Sequence, residues 1–239
     1  MYYFLTASKD TTIFSQQPVQ NTGLDEILEV SKVYYGDLKD TARSLLKFDL
    51  NSLSSKLSTG AVTMSEAQLV MRETLPSEVP LAYSIHIHPI SQSWEMGIGT
   101  RFDNISTDGC TWDYRTSGSK WLNTNVPNGG LATGSYDGKG GMWYTSSEQS
   151  QSYEYQSADL QVDVSSSLSF WLDDNYPNEG FIIKHIDAKE NDDIELNRFR
   201  GFRKYKSDEI GDSLLGFHKR KDQLEQFLLE RRFWNKYYP

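Results

Sequence analysis

The chain of 239 residues is long enough for one large β domain or two small ones, and 37% hydrophobic with 24% charged residues is typical of a soluble globular protein. Lys and Arg number 24 against 33 Asp and Glu, and the resulting net charge of −9 disfavours nucleic-acid binding, which needs a basic surface. The single cysteine excludes an intramolecular disulfide and indicates synthesis in a reducing cytoplasm. No signal peptide and no stretch of roughly 18 apolar residues is present, so we expect neither a membrane nor nucleic acid as a partner.

Aromatic residues make up 13% of the chain, while Ser, Thr, Asn and Gly crowd its middle, a composition typical of an all-β protein with long polar loops. The first 50 residues predict short strands at YYFL, TTIF, EILEVSKVYY and ARSLLKFDL, with a turn at ASKD and a loop at SQQPVQNTG. The last of these strands has a period of two, which predicts a half-buried strand with Leu45, Lys47 and Asp49 on its outer face. Taken over residues 1–187, the predicted inward residues include Leu46, Phe48, Leu50, Leu69, Met71, Ile85 and Phe181.

Two further strands are predicted at SEAQLVMRE and LAYSIHIHPI. In the second, His86 and His88 lie two residues apart on one face, which would suit a pair of zinc ligands if a third ligand were present. The sequence offers no third partner at short range. The alternative is a polar outer face of a half-buried strand, and we predict neither a metal nor another cofactor.

A polar, Gly- and Ser-rich insertion follows at about residues 95–158, too long for a simple turn and therefore either functional or partly disordered. Its aromatic residues are Trp112, Tyr114, Trp121, Tyr136, Trp143 and Tyr144. Such rings can bind a glycan by packing on the C–H face of a pyranose, or they can form a small core or a partner contact. After the insertion, YEYQSADLQVDVSSSLSFWL, DDNYPNEG and FIIKHIDA predict a strand, a short apolar segment, a turn and another strand.

The candidate catalytic residues in the sequence each have a simpler structural explanation. The adjacent acids Asp173–Asp174 and Asp192–Asp193 are better explained as turn formers than as a glycosidase pair. Cys110 lies in a DGCTW turn without a neighbouring His, which favours a small buried thiol over a nucleophile. GKGGMW lacks the spacing and the Ser or Thr of a P-loop. We therefore expect a non-enzymatic protein.

Residues 191–239 differ from the rest because they hold 11 Lys and Arg against 9 Asp and Glu, so the negative charge lies in residues 1–190. Apolar residues at helical spacing begin at Leu214, Leu215 and Phe217, and they predict an amphipathic helix at about 221–235. We divide the chain into a β-sandwich domain, 1–190, and a C-terminal extension, 191–239. The apolar residues of this extension form a predicted assembly tail, which consists of Leu224, Phe227, Leu228, Phe233 and Trp234. We expect these side chains to pack against a neighbouring subunit, a second copy of the chain or the chain's own β-sandwich domain.

Several segments together resemble the DNRLRE-type β-sandwich modules. The first three are DTTIFSQQPVQNTGLDEILEV, ARSLLKFDLNSL and AVTMSEAQLVMRE. The Arg-x-Leu-x-x-Phe-Asp motif is matched by Arg43, Leu45, Phe48 and Asp49, and the next strand motif by Ala67, Leu69 and Met71. SQSWEMG, Thr111-Trp112, LQVDVSSSLSFWL and NYPNEGFIIK follow in the expected order, so the resemblance covers roughly residues 10–187. The insertion is longer than in compact modules, and the final segment NRFRGFRKYKSDE lacks the usual proline.

The resemblance implies an antiparallel jelly-roll-like sandwich similar to carbohydrate-binding modules, found in adhesive surface proteins and in bacteriophage virion proteins. The absence of a signal peptide after Met1 favours the virion type, which assembles in the host cytoplasm. We therefore expect a structural protein of the head, neck or tail of a tailed phage, whose partners are other virion proteins, copies of itself and possibly a host-surface glycan. The alternative is a carbohydrate-binding module or adhesin that uses the Trp- and Tyr-rich insertion.

Overall fold

The computed structural model describes residues 3–35, 37–75, 83–122, 132–134, 139–153, 159–190, 198–203 and 213–218. The strands are β1 (Tyr3–Phe14), β2 (Ile27–Tyr35), β3 (Leu38–Phe48), β4 (Glu66–Met71), β5 (Glu73–Leu75), β6 (Tyr83–Pro89), β7 (Tyr114–Thr116), β8 (Ser119–Lys120), β9 (Ala132–Gly134), β10 (Met142–Tyr144), β11 (Gln149–Tyr153), β12 (Leu160–Asp163), β13 (Phe181–His185), β14 (Arg198–Arg203) and β15 (Ser213–His218). The helices are α1 (Asn51–Ser58), α2 (Ser165–Leu172) and α3 (Asp187–Glu190).

Eleven strands form one antiparallel hydrogen-bonded network. Eight follow the order β11-β6-β13-β3-β1-β15-β4-β12, while β2 pairs with β3 and β14, and β14 also pairs with β5. Two small hairpins, β7–β8 and β9–β10, belong to the insertion. The predicted all-β class is confirmed, since the described residues are mostly in antiparallel strands and the helices are short.

Strand β1 is shared by two groups of strands. Residues from Tyr3 to Thr6 pair with β15, whereas residues from Ala7 to Phe14 pair with β3, and the register shifts between Ala7 and Lys9. The predicted turn at ASKD is therefore wrong. The chain continues as one strand with an irregularity, because backbone groups on both sides of the shift find ladder partners.

The larger hydrophobic cluster contains side chains from both groups of strands. Leu69 and Met71 come from β4, while Phe48, Ile85 and Phe181 come from β3, β6 and β13. All seven predicted inward residues are buried, so this part of the prediction is confirmed. At about 25 cal/mol per Å² of apolar surface, such burial is the main stabilising contribution to the fold.

The central strands β3 and β6 are buried on both faces, which corrects the prediction that each is half-buried. Leu45, placed on the outer face of β3 by the sequence pattern, is fully buried. The insertion and neighbouring loops cover this second face with a smaller cluster, formed by Ile13, Leu45, Ile90, Trp94, Cys110, Trp121, Met142, Trp143 and Ile182. A period of two marks the side chains on one face but does not show that another segment covers the opposite face.

The succession of elements after the insertion agrees with the prediction, because β12, α2, a turn and β13 follow one another. Within the insertion, β11 pairs with β6. In the C-terminal stretch, β14 pairs with β2 and β15 pairs with β1 and β4. Residues 213–218 are therefore a strand rather than part of a helix, whereas the predicted helix at 221–235 lies outside the described residues. Within the part of the chain that is described, no helix has the length and apolar character to cross a membrane.

Candidate functional site

The aromatic residues of the insertion lie mainly inside the molecule. Trp121, Trp143 and Tyr144 are buried, and the first two belong to the smaller hydrophobic cluster. Trp112 and Tyr114 are half-buried. The predicted core role thus describes the three buried rings, and among the rings that the structure describes a sugar would reach only Trp112 and Tyr114 without rearrangement. Tyr136 lies outside the described residues.

A buried cluster of charged side chains packs against two of these aromatic residues, Trp112 and Trp143. The Arg43 guanidinium donates to both carboxylate oxygens of Glu190, at 3.2 and 2.6 Å, and Lys184 Nζ lies 3.3 Å from the same carboxylate. All three side chains are at most 8% exposed. Trp112 and Trp143 pack against the Arg43 guanidinium, with ring centroids 4.7 and 5.2 Å from its central carbon. The cations of the sheet and the rings of the insertion therefore stabilise one another.

Two loops, residues 15–26 and 91–113, interlock through one buried amide. Asn21 donates from Nδ2 to the carbonyl oxygens of Met96 and Cys110, at 2.7 and 2.8 Å. Its Oδ1 accepts from the backbone N–H groups of Gly23 and Gly99, at 3.1 and 2.8 Å. Because both donors and both acceptor positions of the amide are used, its orientation is fixed.

Glycines allow the backbone to approach this amide closely. Gly97 and Gly109 adopt φ values of +75° and +93°, a backbone conformation that residues other than glycine rarely adopt. A Cβ on Gly97 would lie 2.0 Å from the carbonyl oxygen of Asp108 and 2.4 Å from Asn21 Oδ1. The interlocked loops are thus specified by both hydrogen bonding and the absence of side chains.

Arg101 attaches the second loop to the sheet. Its guanidinium lies 2.9 Å from a Glu29 carboxylate oxygen, 3.5 Å from an Asp40 oxygen and 3.9 Å from the ring centroid of Phe14. Burial raises the pKa of the Glu29 carboxyl, and the Arg101 charge opposes that rise. The backbone N–H of Arg101 also donates to Asp25 Oδ1, at 3.0 Å.

These fixed loops expose large apolar side chains, which we name the loop-tip surface. Its members are Leu24, Ile98, Phe102 and Ile105, with exposures of 54%, 68%, 89% and 74%. The two loops are joined here by a hydrogen bond from the Leu24 N–H to the Gly99 carbonyl, at 2.9 Å. Single exposed apolar residues are ordinary, whereas a contiguous apolar patch marks an interaction surface, and these four side chains lie on two loops that hydrogen bonds hold together.

The two histidines of β6 are mostly buried, which corrects their placement on a polar outer face. His86 is 9% and His88 6% exposed, and Trp143 of β10 and Glu148, just before β11, lie against them. The His88 ring lies 5.9 Å from that of Trp143, between centroids. Glu148, for which the sequence predicts no role, contacts His86 Nδ1 through a carboxylate oxygen.

Cys110 is fully buried, in agreement with the predicted inert thiol, and burial raises its pKa well above the usual range. Because the reactive species is the exposed thiolate, we expect an aromatic disulfide reagent to modify the native chain at least about 100-fold more slowly than the urea-unfolded chain at pH 8. Absorbance of the released thiolate measures the rate. Equal rates for the native and unfolded chains would contradict this placement.

Three residues of the site had weaker sequence signals than the aromatic residues. Lys184 interrupts the apolar run of FIIKH, which is the signature of a buried charge. Asn21 stands in a QNTG segment that resembles any polar turn, and Glu148 precedes the alternating segment QSQSY, which is β11. The residues of the predicted assembly tail, Leu224, Phe227, Leu228, Phe233 and Trp234, lie outside the described residues.

Comparison with known proteins assigns no family to the chain. No protein-family model matches it, and no curated protein matches it either.

Proposed function

We propose that the chain is a non-enzymatic structural subunit of a tailed-phage particle, built on a jelly-roll-like β-sandwich and located in the virion after assembly in the host cytoplasm. The resemblance of residues 10–187 to DNRLRE-type modules supports the class of protein. The loop-tip surface supports attachment to a neighbouring subunit, and it is the observation on which the proposal depends.

A rigid apolar surface is suited to subunit contact for a physical reason. A loop that is ordered before binding loses little conformational entropy when its partner docks. Asn21 and Arg101 hold the loops of this surface in place through buried contacts. The removal of a side chain such as Phe102 from water then contributes about 1.5–3 kcal/mol to association.

The assembly tail is the second proposed attachment. Basic residues accompany its apolar residues, among them Lys219, Arg220, Arg231 and Arg232. A tail of this charge suits an acidic surface, such as that of another copy of this acidic chain. Deletion of residues 219–239 should therefore reduce incorporation into particles.

Recognition of a glycan by the insertion is kept as an alternative that involves the half-buried Trp112 and Tyr114. On a glycan array, binding that is lost in Trp112→Ala while the loop-tip variants still bind would favour this alternative over subunit attachment.

The proposal is tested by co-expressing the chain with the products of the genes beside its own and isolating assembled particles on a density gradient. The wild-type chain should sediment with the particles. The double variant Phe102→Ser/Ile105→Ser should remain folded and lose at least about tenfold in incorporation, since two large apolar contacts are removed.

Leu122→Ser is the matched control, because Leu122 is 51% exposed but lies outside the loop-tip surface. It should be incorporated like the wild type. Equal incorporation of both variants would overturn the role of the loop-tip surface, and a wild-type chain absent from all particles would overturn the virion assignment.

A further inference from the structure

We propose that His86, His88 and Glu148 bind one divalent transition-metal ion, with Zn²⁺ as the best match. The ligand atoms of these three side chains all lie within 4.8 Å of one another. The set therefore supplies two imidazole nitrogens and one carboxylate oxygen, which is a frequent zinc ligand set.

Strand pairing brings the ligands together. His86 and His88 point to one face of β6 because they are two residues apart. Strand β11 pairs with β6 so that Ser150 lies opposite His86 and Gln149 opposite Ile87. Glu148 therefore enters this face immediately before β11, next to the two imidazoles.

The His86–Glu148 contact alone would be an ordinary ion pair. His88 makes the cluster different, because its ring stacks beside that of His86, with centroids 6.3 Å apart and planes inclined by 21°. With His86 and Glu148, it completes a set of three ligand groups that can hold one metal ion. A tetrahedral zinc ion holds its ligand atoms about 3.4 Å apart, so ligand atoms within 4.8 Å of one another are near the spacing that the ion requires.

Exposure and charge are compatible with metal entry. Glu148 is 42% exposed, so the ion can arrive from solvent on this side and retain a water as its fourth ligand. Lys184 lies opposite His86 in the neighbouring strand, and its ammonium group lies 3.3 Å from the Glu190 carboxylate. Arg43 shares that carboxylate, so these three groups keep one net positive charge, and Glu148 supplies the negative charge that the metal needs.

Binding would link β6 to the segment that joins β10 and β11, and so would hold the insertion on the sheet. The metal would then stabilise the native chain by mass action.

The test is a calorimetric titration of the metal-free full-length chain with ZnCl₂ at pH 7.5. We expect one equivalent to bind with a dissociation constant of about 10 µM or lower, below the millimolar range of adventitious surface binding. Glu148→Gln keeps the size of the exposed ligand but removes its charge, and should weaken binding at least about tenfold. His218→Ala, which removes a histidine outside the cluster, should leave the affinity unchanged.

Cobalt spectroscopy gives a second readout. Co²⁺ in place of Zn²⁺ should give the intense visible absorption of a four-coordinate site, and this absorption should disappear in His88→Asn. Circular dichroism establishes that each variant is folded, and Glu148→Gln serves as the test if His88→Asn does not fold. Failure of the wild-type chain to bind zinc at concentrations up to 1 mM ZnCl₂ would overturn the proposal. A folded Glu148→Gln variant with the zinc affinity and the cobalt absorption of the wild type would overturn it as well.

Discussion

Replacement of Glu190 by Ala should lower the free energy of unfolding by about 3–5 kcal/mol, as expected when one partner of a buried ion pair is removed. The reason is that Arg43 and Lys184 share this carboxylate while all three side chains are buried. Neither cation can replace the lost contact with water without opening the structure around it. Urea titration monitored by tryptophan fluorescence measures the change.

The matched control is Glu95→Ala, which removes the Lys9–Glu95 ion pair, whose side chains are 31% and 60% exposed. An exposed pair contributes less than about 1 kcal/mol, so the control should remain near the stability of the wild type. Glu190→Gln keeps one acceptor oxygen and should lie between the two. Equal stabilities for Glu190→Ala and Glu95→Ala would show that the buried cluster does not stabilise the fold.

Replacement of Asn21 by Ala should lower the free energy of unfolding by about 3–5 kcal/mol, since it deprives three buried backbone groups and one partly buried group of a partner at roughly 1 kcal/mol each. The affected carbonyls belong to Met96 and Cys110, and the affected N–H groups to Gly23 and Gly99. Chemical denaturation measures the loss. The Cys110 thiol should also become more accessible, because the interlocked loops separate.

Asn51→Ala is a suitable control, because Asn51 is an exposed residue at the start of α1. It should change stability by no more than about 0.5 kcal/mol. Asn21→Asp distinguishes the hydrogen bonds that the amide donates from those that it accepts, because Asp retains the acceptors and loses both donors. A loss below 1 kcal/mol in Asn21→Ala would mean that the glycines alone specify the loops.

Local periodicity was sufficient to predict the main strands. The alternation around Phe48, Leu69 and Ile85 identified β3, β4, β6 and the larger hydrophobic cluster. These predictions succeeded because the face of a strand is a property of adjacent residues. The same periodicity failed for Leu45 and His88, because burial of the second face depends on the insertion, where Trp143 lies 98 residues after Leu45 and 55 residues after His88.

The candidate site was less predictable because its partners are distant in sequence. His86 and Glu148 are 62 residues apart, Asn21 and Cys110 are 89 apart, and Arg43 and Glu190 are 147 apart. Each contact depends on strand register and on loop closure, which no local pattern contains. The aromatic residues were recognised as important, but whether they would be on the surface or inside the molecule required the arrangement of the sheet.

The shared strand β1 has a consequence for the order in which the chain can fold. Tyr3 pairs with Phe217, so part of the first strand cannot find its partner until more than 200 further residues have left the ribosome. Until then β3 is the ladder partner available to β1 among the described strands, through Ala7 and the residues after it, and residues 3–6 have not yet met β15. Contacts of such long range slow folding, and the nascent chain is therefore most exposed to aggregation late in its synthesis.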